Sequence, residues 1–131
     1  MKQDKEKVRI AIAQFSILEG DKKANLFKAL TYIHSAADKG AELVLLPEMF
    51  LTGYPINIPM VELAEPMEGE SIQGIRNVAR ELKIAVIGSY PEWDAEGRCS
   101  YNTAFFIGAV SYTHLRAHET VLDLVCRLLL E

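Results

Sequence analysis

Two cysteines, a single tryptophan and no long apolar run are what this 131-residue chain offers least of, and each shortage excludes something. Cys99 and Cys126 are too few for a disulfide framework, so a reducing cytoplasm is the expected location. No stretch approaches the roughly 18 apolar residues of a membrane span. The charged start, Lys2 to Lys7, leads into an apolar segment too short for a signal peptide. Basic residues are outnumbered, 14 against 18 acidic for a net charge of −4, and they form no stripe, so no nucleic-acid partner is expected. Internal repeats and low-complexity tracts are missing as well. What is there, 50% apolar and 24% charged, suits one soluble globular domain.

The patterning alternates strands with helices. Val8 to Phe15 is β-rich and mostly apolar, as expected of a strand covered on both faces. Asp21 suits the N-cap of a helix running to about Lys39, with Phe27, Leu30, Ile33, His34 and Ala37 as its buried stripe and Gly40 as its stop. Leu43 to Leu46 reads as a second buried strand, ended by Pro47. Thr52 to Gly69, with Pro55, Pro59 and Pro66, reads as an ordered loop. Ser71 is a candidate cap for a second helix whose face is Ile72, Ile75, Val78, Ala79 and Leu82. Ile84 to Tyr90 and Tyr101 to Ile107 are two more strands, joined by a polar turn and so open to antiparallel pairing. The order β-α-β-loop-α-β-β implies right-handed crossovers and a largely parallel sheet, half of an α/β layered domain.

The richest segment is Leu45 to Pro55, LLPEMFLTGYP. It puts Glu48 at the exit of a buried strand, in a turn closed by Gly53 and Pro55. A buried acid there costs free energy unless it is paired or used. For a lone carboxylate after a strand, a paired or hydrated structural acid is the commoner case. The motif reverses that order, because LLPEMFLTGYP resembles the glutamate motif of the nitrilase superfamily, the carbon–nitrogen hydrolases. VRIAIAQF resembles that family's first strand, and DKKANLFKALTYIHSAADKGAEL its first helix. LAEPMEGESIQGIRNVARELKIAVIGSYPE and YNTAFFIG resemble the next helix and strand pair. Strand ends of an open α/β sheet are also where ligands usually bind.

The resemblance implies the N-terminal part of an α-β-β-α sandwich that hydrolyses small non-peptide amides or nitriles. It also implies a Glu-Lys-Cys triad without a metal or other cofactor, in an enzyme that forms homo-oligomers. Glu48 matches the general base that takes the cysteine proton and later activates water. The lysine of the family stabilises the developing oxyanion. LAEPMEGESIQ with IAVIGSYPE and YNTAFFIG looks closest to amidases acting on small aliphatic or ω-amides. A nitrilase, an N-carbamoyl amidase or the glutaminase domain of a synthetase stays open. So does a non-catalytic α/β binding domain in which Glu48 is structural.

Other candidates carry less. Tyr54 is placed to lend its hydroxyl to a substrate pocket or to Glu48, or to be a packing aromatic with its hydroxyl at the rim. Asn102 reads as a bridge between strand backbones, His34 as a partly buried packing residue, and Cys99 as a passive thiol. Glu92 and Trp93, at a strand exit, fit either a pocket wall or a loop.

After Gly108 the character changes. AVSYTHLRAHETVLDLVCRLLLE resembles the conceptual translation of a transposon-based sequencing adapter: Val110 to Glu119 match its adapter codons and Asp123 to Glu131 the primer beyond. Residues 1–108 are then the native part, and 109–131 an artefactual tail. On that reading His114 and His118, four apart like zinc ligands on a helix, are accidental codons. SYTHL and LVCRL then merely mimic the family segments that resemble Y-R-K-T-H-L and I-C-Y-D. Cys126 is assigned no catalytic role, and the chain as written is expected to be inactive.

Overall fold

The computed structural model describes residues 7–94, 96, 99–109 and 112–116. Strand β1 is Ile10–Ile12, shorter than the β-rich run around it, though Ala13 still donates its N–H to Leu45 O at 2.8 Å. Helix α1 (Lys22–Asp38) and strand β2 (Leu43–Leu45) follow, then the one-turn helix α2 (Met60–Leu63) inside the segment expected to be an ordered loop. Helix α3 (Glu70–Leu82), strands β3 (Ala85–Trp93) and β4 (Ser100–Ile107) and the strand β5 (Tyr112–Arg116) complete the order. The sheet runs β1-β2-β3-β4-β5, parallel through β3 and antiparallel beyond it. Parallel neighbours need crossovers, and α1 and α3 supply them; the hairpin β3–β4 needs only its short turn.

Both ends of α1 are set by local chemistry. The Asp21 carboxylate accepts from Ala24 N–H at 3.1 Å. At the other end Gly40 takes φ +81°, and its N–H and that of Ala41 return to Ala37 O and Ala36 O. That is the paired closure a glycine in the left-handed region allows. The buried face keeps Ile33, with Leu30 and Ala37 packed beside the core, from the expected stripe, but not its Phe27 and His34. Asn25, Ala29, Ile33 and Ala36 face inward, whereas Phe27 is 73% exposed and His34 is exposed too. Residues 27 and 34 are seven apart and share a flank that the helix turns to solvent. Its rotation is set by Asn25, whose side chain bonds to backbone groups of two separate loops.

Ser71 is not the cap of α3. Gly69 holds that position, and the carboxylate of Glu65 accepts from both Ser71 N–H (3.0 Å) and Ser71 Oγ (2.6 Å). An acceptor from the preceding loop thus does the work of a capping side chain. Lys22 Nζ lies 3.2 Å from the same carboxylate, which ties the starts of α1 and α3 together.

The core lies between these helices and one sheet face, where Val44, Leu46, Val86, Phe105 and Ile107 meet Ala29, Ile33, Ile72 and Ile75. Among the described residues no helical layer covers the opposite face, so β1 is not covered on both sides as its composition suggested. Ile10, Ile12 and Phe106 are 52%, 74% and 41% exposed. Register aligns Ile12, Leu45, Ile87 and Phe106 into one apolar band across four strands. One sheet with one helical layer is half of a layered sandwich. No helix among the described residues is long and apolar enough to cross a membrane.

Candidate active site

Strand β2 stops where Pro47 removes a donor, and the chain turns through Glu48 to Thr52 at the C-terminal end of the parallel strands. Met49, only 2% exposed, takes the left-handed conformation with φ +50°. Its N–H donates to Ser89 Oγ at 2.9 Å, and its carbonyl accepts from Thr52 N–H at 3.2 Å and Gly53 N–H at 2.8 Å. Gly53 follows at φ +63°, where a Cβ would lie 2.6 Å from Glu19 Oε2; glycine answers both demands.

The turn is clamped from its other side by α1. Fully buried Asn25 donates to Leu51 O at 2.8 Å and Leu18 O at 2.7 Å, and accepts from Leu18 N–H at 2.8 Å. Gly20 N–H adds a bond to Thr52 O at 2.8 Å. The Glu48 turn is therefore fastened to β3 by Ser89 and to α1 by Asn25.

Glu48 itself is exposed, not buried as the strand-exit argument required. It follows the C-terminal end of β2, and among the described residues no second layer shields it. Tyr54 Oη donates to Glu48 Oε1 at 2.8 Å, with the ring 53% exposed. A solvated carboxylate with one phenolic donor keeps lone pairs free to take a proton.

The neighbouring residues fall into place differently. Strand β3 extends through Trp93, so Glu92 is strand rather than loop and is fully buried, accepting from Tyr90 Oη at 3.2 Å. Trp93 Nε1 donates to Val61 O at 2.7 Å, and the backbone of Glu65 pairs with Pro91 and Trp93. Those bonds hold the loop that carries Tyr54. The Oδ1 of Asn102 and Oγ1 of Thr103 are buried with no hydrogen-bond partner among the described residues, so the Asn102 side-chain oxygen makes no bridge to a strand backbone there. Cys99 is an exposed free thiol. Among the described residues no group of three or more His, Cys, Asp or Glu is placed to hold a metal ion. Cys126, His118 and the side chain of His114 lie outside the described residues.

Three residues of this site escaped sequence reasoning. Asn25 had a signal, a lone polar residue four before Ala29 and eight before Ile33 on a helix. Ser89 reads as an ordinary small strand residue, and Glu65 as one more charge in a loop.

Glu48 stands just beyond the C-terminal end of a parallel strand, the end of an open α/β sheet at which ligands usually bind. The family profile named carbon–nitrogen hydrolase matches residues 9–122, and the chain belongs to that family. It is 41% identical over 101 residues to the human omega-amidase NIT2, a match covering 76% of this chain and 35% of the relative. With a nitrilase of Pyrococcus abyssi it shares 37% over 106 residues, 77% of this chain and 39% of that one. The crystal structure of Saccharomyces cerevisiae Nit3, a member of the nitrilase superfamily, superimposes with a TM-score of 0.66 at 28% identity. That superposition covers 82% of this chain and 43% of the yeast chain. The chain spans about a third of the length of the curated relatives it matches.

Proposed function

We propose that this chain is the general-base segment of an amidase that hydrolyses small non-peptide amides through a thiol acyl-enzyme, with Glu48 as the base. The observation that carries this reading is Glu48 itself, fastened through its turn to both β3 and α1 while its carboxylate stays solvated. Similarity to an omega-amidase supports the amide as substrate class. In the proposed reaction Glu48 takes the proton of a cysteine thiol as sulfur bonds to the amide carbon. The C–N bond then breaks, and ammonia or an amine leaves with the proton that Glu48 returns to its nitrogen. Glu48 next takes a proton from water as water attacks the thioester, releasing the acid and the thiol. A lysine holds the oxyanion in both halves. Tyr54 serves as a substrate-facing donor beside the base.

The lysine and cysteine belong, on this reading, to coding sequence that residues 109–131 have replaced. The 131-residue chain then hydrolyses no amide, and the intact enzyme is a cytoplasmic homo-oligomer. The test is a sequencing read across codon 108 of the source DNA, followed by Glu48→Gln in the full-length enzyme. A lysine and a cysteine motif beyond Gly108, with turnover lost in Glu48→Gln, supports the amidase. A genomic frame that encodes AVSYTHLRAHET, or turnover that survives Glu48→Gln, refutes it. A synthetase domain downstream would instead assign the glutaminase branch.

A further inference from the structure

We infer that Ser89 is the positioning residue of Glu48, an inference that rests on the general-base reading above. The residue following Glu48 is Met49, a side chain with a β-carbon held at φ +50°, which for an L-residue costs about 1–2 kcal/mol. Such a conformation persists only where its surroundings hold it. The carbonyl side of Met49 is held within the turn, by Thr52 and Gly53 at 3.2 and 2.8 Å. The amide side is held from outside the turn, by the buried hydroxyl of Ser89 at 2.9 Å.

That bond orients the peptide plane joining Glu48 to Met49. The plane turns about two torsions, one at Glu48 and one at Met49. If the N–H is released, the plane can rotate and relieve the left-handed φ, and the Glu48 carboxylate moves with it. Ser89 lies deep in β3, opposite Ala104 in the ladder, so it is a fixed point that a loop residue would not be. Its hydroxyl touches the Met49 N–H, and its influence on chemistry passes through the Glu48–Met49 peptide.

The experiment compares Ser89→Ala, Ser89→Thr and Glu48→Gln in the full-length enzyme. It reads kcat and KM for a small amide, the titre of reactive thiol, and deuterium uptake of a peptide containing Met49. Displacement of a base by about 1 Å is worth up to about a hundredfold in rate. Ser89→Ala is expected to lower kcat per titrated thiol by about tenfold to a hundredfold, with KM within about twofold. Uptake at Met49 should rise by about tenfold or more. Ser89→Thr, which keeps the hydroxyl, restores both. If Ser89→Ala does not fold, Ser89→Cys takes its place, since a thiol is the weaker acceptor. A kcat per titrated thiol within twofold of the parent overturns the inference, as does failure of Ser89→Thr to rescue. If Glu48→Gln abolishes turnover while Ser89→Ala does not lower it, only the positioning role falls. If Glu48→Gln is fully active, the general-base reading falls and takes this one with it.

Discussion

A pair of substitutions in α1 separates the observed packing from the one that hydrophobicity suggests. Asn25→Ala removes a fully buried side chain that makes three hydrogen bonds of 2.7–2.8 Å. Leu18 N–H, Leu18 O and Leu51 O are then left without that partner. Each stranded group costs about 1 kcal/mol, and water reaches the two at Leu18 more easily than the one at Leu51. The sum is about 2–4 kcal/mol. Phe27→Ala on the same helix removes a ring that is 73% exposed, and costs at most about 0.5 kcal/mol. Equilibrium urea unfolding at low micromolar concentration, in a chain made more soluble by Ile12→Lys and Phe106→Lys and followed through the emission of Trp93, the single tryptophan, measures both. With m near 2 kcal/mol/M the midpoint should fall by about 1–2 M for Asn25→Ala and by less than about 0.3 M for Phe27→Ala. An equal or larger loss for Phe27→Ala would refute the rotation assigned to α1, and with it the clamp on the Glu48 turn.

Four further outcomes are expected. In the full-length enzyme Glu48→Gln should lower kcat by about 10²–10⁴, whereas Tyr54→Phe, whose bond lies where water can replace it, should lower kcat by less than about tenfold; steady-state amide hydrolysis decides. Gly53→Ala meets both a positive φ and the Glu19 carboxylate, and should destabilise by about 1–3 kcal/mol in the same urea assay. Glu65→Ala strands Ser71 N–H and Oγ at the start of α3 and should cost about 2–4 kcal/mol, with Ser71→Ala recovering part of the loss in the double variant. The 131-residue chain should partition mostly into the insoluble fraction, and Ile12→Lys with Phe106→Lys should raise its soluble yield, since both side chains stand on the bare face.

What was legible in the sequence was what local chemistry decides. Asp21 and Gly40 bound α1 because a carboxylate and a residue free to take positive φ are what its two ends require. Pro47 and Gly53 bracket the Glu48 turn for the same kind of reason. The parallel order followed from alternating elements, and the final hairpin from its short connection. What was not legible depends on partners distant in sequence. The segment from Leu26 to Ala37 admits two overlapping apolar stripes, and the choice falls to Asn25 reaching residues 18 and 51. Ser71 lost its capping role to Glu65, which no local pattern links to it. The exposure of Glu48 turns on whether anything covers the sheet face, and an apolar strand looks the same with or without a cover. In the stretch after Gly108, Tyr112–Arg116 pairs with β4 as a fifth strand, as an alternating segment beside an open edge readily does.

The one-sided sheet also bears on how such a protein is made. Its core joins α1, α3, three parallel strands and Phe105 and Ile107 of β4, all within the first 107 residues, so this layer can close once β4 clears the ribosome. At about 5–20 residues per second, each further hundred residues of synthesis would leave the apolar band of Ile12, Leu45, Ile87 and Phe106 uncovered for about 5–20 s. Over that interval the nascent chain is a finished helical layer with an adhesive underside. Its yield in a cell is then governed by chaperone capture and translation speed before it is governed by equilibrium stability.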